Sequence, residues 1–242
     1  MTARFSTRTV AGVPLLVAAP GGVQAPAPLV LWFHGFGVDA AANGAELARL
    51  AEAGYLAVGV DAVGHGRRRL PDLAERQAAP RAAALHTMAT LAAATALEVP
   101  ALVDALVREG CADGERVAAV GVSMGGYLVY RAIVAAPAIR AAVAILGSPE
   151  WPSGTASDGD SPHLHLDAMR RVALLSITAE RDESVPPDAA RRLHARLAES
   201  HPHPERARYE ELAGAPHLMS AAQWERAMSL TLAWLDTHLR AR

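Results

Sequence analysis

Arg116-Val-Ala-Ala-Val-Gly-Val-Ser-Met-Gly-Gly-Tyr127 is the stretch from which the fold is read. Val117 to Val122 is a short, valine-rich apolar run of the length expected for a strand buried on both faces. Gly121-Val122-Ser123-Met124-Gly125 matches G-x-S-x-G, and apolar residues at helical spacing follow (Tyr127, Leu128, Ile133, Val134). Strand, glycine-bracketed serine and helix together place a serine hydroxyl at the end of a sheet, over a helix N-terminus that favours negative charge. The turn is so tight that side chains two residues either side of the serine would collide, and glycine removes the collision. Nineteen glycines among 242 residues yield about 0.07 such matches by chance, so Ser123 is read as chemistry rather than as an ordinary turn serine.

Outward from this stretch, strand-like and helix-like runs alternate through the chain. That alternation predicts one α/β domain over residues 1–242, with a mostly parallel central sheet and helices on both faces. Residues 4–19 read as two strands joined at Ala11-Gly12, Leu29–Phe33 as a central strand, and Asp39 to Ala53 as an amphipathic helix closed by Gly54. Tyr55–Val60 is the next buried strand, and Arg67 to Pro80 a charged surface excursion. Arg81 to Glu109 is alanine-rich and reads as one long helix or two broken near Pro100. Further strands are expected at Ala141–Leu146, Val172–Thr178 and Ala207–Leu212, and helices at Pro187–Glu199 and Ser220–Leu239. Gly147 to Pro162 is rich in Gly, Ser, Pro and Asp, which predicts a long loop or small cap over 147–171, after the sixth strand.

Composition narrows the partners. Half of the residues are hydrophobic (51%), the formal charge is −2 and the isoelectric point is about 6.5. No basic surface is expected for nucleic acid or an anionic membrane. No run approaches a membrane span. Arg4 and Arg8 before Val13–Ala19 imitate a signal peptide weakly, but Pro14 interrupts the apolar part, and the cytoplasm is the expected location. Cys111 is the only cysteine, so an internal disulfide is excluded and a structural zinc–thiolate site is not expected. His163-x-His165 and His201-x-His203 lack an obvious third ligand nearby, and neither metal nor cofactor is expected. A monomer and a homodimer are equally compatible with the sequence.

Four strand ends carry the chemistry, since ligands of an open parallel sheet bind beyond the carboxyl ends of its strands. A serine hydroxyl needs a base within hydrogen-bond reach. Among ten histidines, His217 in Gly214-Ala-Pro-His217 follows the last strand and is placed to return over the sheet. The histidine needs a carboxylate to fix its tautomer and stabilise the imidazolium. Asp182, directly after strand 172–178, is chosen, with Glu180 and Glu183 close enough to compete. The Met124 backbone N–H, at the start of the helix, is placed to meet an oxyanion. Asp61 and His65 form a second pair of titratable groups.

The order Ser123, Asp182, His217 is that of α/β-hydrolases. Over nearly its whole length the chain resembles that superfamily, and within it the small dienelactone-hydrolase-like and YjfP-like carboxylesterases. The matching pieces are His34-Gly35-Phe36, Ala53-Gly54-Tyr55, Asp61-Ala-Val-Gly-His65-Gly66, Gly121–Gly126, Asp182 with Val185-Pro186, and His217. Two departures are Ala179, where relatives often have glycine, and Ala-Gly-Ala-Pro before the histidine. The resemblance implies that the Phe36 N–H is the second oxyanion donor, that His34 supports its loop, and that Asp61 to Gly66 shapes the loop after its strand. It implies an acyl-enzyme serine esterase acting on small esters, with short acyl groups expected. Thioesters, lactones and short peptides use the same constellation, and a non-catalytic binding protein on this fold is the remaining alternative. Arg67, Arg68 and Arg69 read as a solvated charge run rather than an anion trap.

Overall fold

The computed structural model describes residues 3–21, 25–151 and 161–239. Strands β1 (Arg4–Val10) and β2 (Val13–Ala19) form a hairpin, turned by Ala11 and Gly12 at positive φ. Strands β3 (Ala27–Phe33), β4 (Leu56–Val60), β5 (Ala112–Val122), β6 (Ile139–Ile145), β7 (Ala173–Ala179) and β8 (Ala207–Leu212) complete an eight-stranded sheet. Its order is β1-β2-β4-β3-β5-β6-β7-β8. Only the β1–β2 and β2–β4 pairings are antiparallel; from β4 to β8 every pairing is parallel.

Parallel strands need helical crossovers that cover both faces, so their sequences are apolar throughout. The alternation of side chains sorts them between two cores. Leu29, Leu31 and Phe33 of β3 enter one and Val30 and Trp32 the other. The first core is closed by α3 (Arg81–Arg108), α4 (Met124–Ala135), the short α5 (Leu166–Arg171) and α6 (Asp188–Ser200). The second is closed by α1 (Gly44–Glu52) and α7 (Ala221–Leu239), with Leu47, Leu50, Met228 and Leu235 almost fully buried. The excursion after β4 contains α2 (Leu73–Ala78).

The Arg81–Arg108 segment is one helix, continuous through Pro100. Proline lacks an N–H and so leaves the Ala96 carbonyl without its helical donor, but Val99, Leu102 and Val103 on either side are held in the core. By length and composition alone α3 is apolar enough to cross a membrane, which corrects the expectation that no run approaches a span. Here its buried side packs on α4 and β5. Of the segment 147–171, residues 152–160 lie outside the described residues. Its flanks are tied together: Trp151 N–H donates to Ser161 Oγ (2.9 Å) and His163 N–H to the Pro149 carbonyl (3.0 Å). Ala168 and Met169 of α5 pack into the first core.

Candidate active site

Ser123 stands between β5 and α4 at φ 57°, ψ −116°. A side chain in this region is strained by about 1–3 kcal/mol, and such strain persists only where the surroundings enforce it. Three glycines make the turn possible. A methyl group on Gly121 would sit 2.5 Å from the Gly125 carbonyl carbon, and one on Gly126 would sit 2.7 Å from Gly147 Cα. On Gly125 it would lie 2.6 Å from the carbonyl carbon of Phe33. Helix α4 therefore starts directly against the ends of β3 and β6, a proximity no other residue allows.

The rim of the sheet is tied strand by strand. Ser123 N–H donates to the Ile145 carbonyl (2.8 Å), Leu146 N–H to Ile177 (2.8 Å) and Glu180 N–H to Leu212 (3.2 Å). The loops leaving β5, β6 and β7 are thus each anchored to the next strand before they diverge.

The loop after β8 brings His217 over Ser123. Ser123 Oγ and His217 Nε2 are 3.0 Å apart, and His217 Nδ1 is 2.7 Å from Asp182 Oδ2. The Asp182 side chain is fully buried, while His217 keeps about a fifth of its side-chain surface. The second carboxylate oxygen is equally fixed: Asp182 Oδ1 accepts from the backbone N–H groups of Ser184 (2.9 Å) and Val185 (2.8 Å). A carboxylate that accepts two N–H donors on one oxygen has only the other free for the imidazole. In this arrangement Nδ1 carries the proton toward Asp182, and Nε2 is left to accept the Ser123 hydroxyl proton.

The competing acids go elsewhere. Glu180 is exposed and accepts from Gly214 N–H (2.6 Å), and Glu183 is exposed. Ala179, the departure from the glycine of relatives, is fully buried as the last residue of β7, paired with Leu212. The Asp182 N–H bonds its carbonyl at 3.2 Å. An alanine therefore fits this position without displacing the acid.

The loop after β3 runs alongside the serine. A methyl group on Gly35 would lie 3.9 Å from Ser123 Cβ, and Phe36 follows it. Met124 is the first residue of α4, so its N–H has no helical carbonyl to meet. His34, 1% exposed, fixes the loop: its Nδ1 is 2.7 Å from the Gly35 carbonyl, and its Nε2 accepts from Ala62 N–H (3.1 Å). Only the neutral ring can accept at Nε2, and burial lowers its pKa in the same sense.

Asp61 and His65 shape the neighbouring loop. Asp61 accepts from Ala40 N–H (3.1 Å) and Arg67 N–H (3.0 Å), and its carboxylate fills the space a side chain on Gly66 would need. His65 is fully buried, with its Nδ1 3.0 Å from the Val63 carbonyl and its ring edge-on to Phe36 at 5.6 Å. Burial pushes its pKa down to about 4. Of the three arginines expected as a solvated run, Arg67 and Arg69 are exposed, and all three also act as struts. Arg67 donates to the carbonyl of Arg8, Arg68 forms a bidentate pair with Glu98 (2.8 and 2.7 Å), and Arg69 donates to the Gly37 carbonyl (3.1 Å).

The backbone donors that hold Asp182 and the Gly126–Gly147 approach escape sequence reading; Gly147, two residues after β6, is the one signal that could have suggested the second. A further serine–histidine contact, Ser176 Oγ to His194 Nε2 (2.8 Å), is buried under α6 and capped by Tyr130 Oη (2.6 Å). All three side chains are buried.

The chain is 31% identical over 150 residues to the candidate esterase YitV of Bacillus subtilis, a match covering 61% of this chain and 56% of YitV. The chain thus aligns with little more than half of that relative's length. It is 25% identical over 220 residues to Esterase YjfP of Escherichia coli, covering 81% of this chain and 85% of YjfP. The crystal structure of TT1662 from Thermus thermophilus superposes with a TM-score of 0.82 over the whole of both chains, at 24% identity, which establishes the common α/β-hydrolase-like fold. Residues 13–238 match the Dienelactone hydrolase family, a hydrolase family with esterase-named relatives, and the chain belongs to it.

Proposed function

We propose that the protein is a serine esterase cleaving carboxylic esters with short acyl groups through an acyl-enzyme. Ser123 Oγ attacks the ester carbonyl while His217 Nε2 takes its proton. Asp182 orients the ring and stabilises the imidazolium that results. The tetrahedral intermediate carries its charge toward the N–H groups of Phe36 and Met124, where each preorganised donor is worth about 3 kcal/mol of transition-state stabilisation. His217 then returns the proton to the departing alcohol oxygen. Water, activated by the same ring, releases the acid.

The single observation that carries this reading is the continuous chain Ser123–His217–Asp182, at 3.0 and 2.7 Å, on a serine whose strained backbone has no other evident purpose. The test is a pre-steady-state burst of p-nitrophenol from p-nitrophenyl acetate or butyrate, with Ser123→Ala as control. Removing the nucleophile is expected to lower kcat by about 10⁴-fold or more and to abolish the burst. Wild-type turnover by the Ser123→Ala variant would sink the mechanism.

A further inference from the structure

A cavity of about 320 Å³, bordered by the loops that carry Phe36 and Ser184, is left unused by the mechanism. Its walls are Phe36, Ala84, Leu85 and Met88, with Ser184 completing the side nearest Asp182. Phe36 directly follows Gly35, the residue against Ser123, and the Ser184 N–H holds Asp182 Oδ1. The cavity therefore adjoins two of the loops that build the site. Met88 is buried, and Leu85 and Phe36 pack half-buried against the first core.

Two polar side chains in the wall are partly engaged with backbone. Gln77 Nε2 donates to the Phe36 carbonyl (3.3 Å), and Arg81 Nη2 donates to the carbonyls of Glu183 (2.7 Å) and Ser184 (3.2 Å). These bonds brace the walls, and the lining is mainly apolar. The volume sits at the lower end of the ~300–1,000 Å³ of small-molecule sites, which suits a short apolar group and not a large one.

We propose that this cavity is the acyl subsite, taking an unbranched apolar acyl chain longer than acetyl, with Ala84 and Leu85 setting the length accepted. The assignment rests on the ester-hydrolase reading above. It follows from where the proton must go. His217 returns its proton to the leaving oxygen, so the alcohol departs on the side of the 213–220 loop. The carbonyl oxygen points toward the Phe36 and Met124 N–H groups. The remaining substituent of the carbonyl carbon, the acyl chain, is directed away from His217. The cavity has Phe36, one of those two donor residues, in its wall, and no residue of the 213–220 loop among its described walls.

Two substrate series test it in the intact protein. One varies the acyl chain from acetyl to octanoyl on p-nitrophenol, and the other varies the alcohol on a constant acetyl group. Ala84→Phe fills the cavity and is expected to lower the hexanoate-to-acetate ratio of kcat/KM at least tenfold. Leu85→Ala enlarges it and is expected to raise that ratio several-fold. Opposite shifts from the two variants exclude simple destabilisation, which would move all esters together. Parallel changes across the acyl series, or a selectivity change confined to the alcohol series, would overturn the acyl assignment while leaving ester hydrolysis standing. A wild-type protein inactive toward every member of both series would overturn the ester reading, and this one with it.

Discussion

The substitution Asp182→Asn separates charge and tautomer from shape. Asp182 Oδ1 accepts two backbone N–H groups, from Ser184 and Val185, at 2.9 and 2.8 Å. In the variant the amide oxygen must keep that position, because turning the NH₂ group toward two N–H donors would leave three buried donors facing one another. That forces the amide NH₂ onto His217 Nδ1, now 2.7 Å from a carboxylate oxygen. The imidazole must then accept at Nδ1 and carry its proton on Nε2, pointing at Ser123 Oγ. A ring in that tautomer cannot take the serine proton, and its later positive charge has no counter-ion. The expected fall in kcat is about 10⁴-fold, as for the equivalent change in serine proteases, or roughly 5.5 kcal/mol in the barrier. Since the three neighbouring hydrogen bonds are retained in reversed polarity or unchanged, the melting temperature is expected to shift by only a few degrees. The assay is burst and steady-state kinetics on p-nitrophenyl butyrate, beside thermal melts. A variant within tenfold of wild-type kcat and with an unchanged pH profile would refute the reasoning.

Gly125→Ala places a methyl group 2.6 Å from the Phe33 carbonyl carbon, about 1 Å inside ordinary contact. Because backbone stands on both sides, α4 must shift, and a displacement of that size is expected to lower kcat about 100-fold and stability by about 1–3 kcal/mol, read from kinetics and denaturant titration. His65 and His194 are both buried and held neutral, with pKa values pushed down to about 4. The unfolded chain binds protons at these sites below about pH 6.5, where the folded protein does not. Their contribution is complete above pH 6.5 and is lost as the pH falls toward 4, by on the order of 3 kcal/mol each. Melting temperature should fall across that window, and less steeply in His194→Gln, which keeps a partner for Ser176 without titrating; equal slopes would contradict it.

The elements most legible in the sequence were those whose signal is local. The β5 run, the glycine bracket around Ser123 and the stripe of α7 all declare themselves within a dozen residues, and the structure places them as read. Continuity of α3 through Pro100 is decided by the apolar contacts of Val99 and Leu102 in a core built from distant segments, so proline alone was ambiguous. The same limit applies to the arginines 67–69. Their partners, the carbonyls of Arg8 and Gly37 and the carboxylate of Glu98, lie about thirty or more residues away, and nothing local distinguishes a strut from a solvated charge. Choosing Asp182 over Glu180 also depended on a long-range fact, since one reaches His217 and the other turns to Gly214. Side-chain length and direction at a turn are not written in spacing.

The stepwise ties along the rim have a consequence for how this scaffold can diversify. Leu146 is pinned to Ile177 before the 147–171 segment begins, and Glu180 is pinned to Leu212 before the turn that bears the acid. The flanks of the long segment are themselves laced at Trp151–Ser161. Lengthening or replacing what lies between those laces leaves the coordinates of Ser123, Asp182 and His217 untouched, because the stitching lies upstream of the variation. A lineage could exchange the stretch between Trp151 and Ser161 and keep the Ser123–His217–Asp182 chain each time. One residue inserted before a tie, in contrast, would slide a reacting group by a full strand step of about 3.3 Å and unmake it.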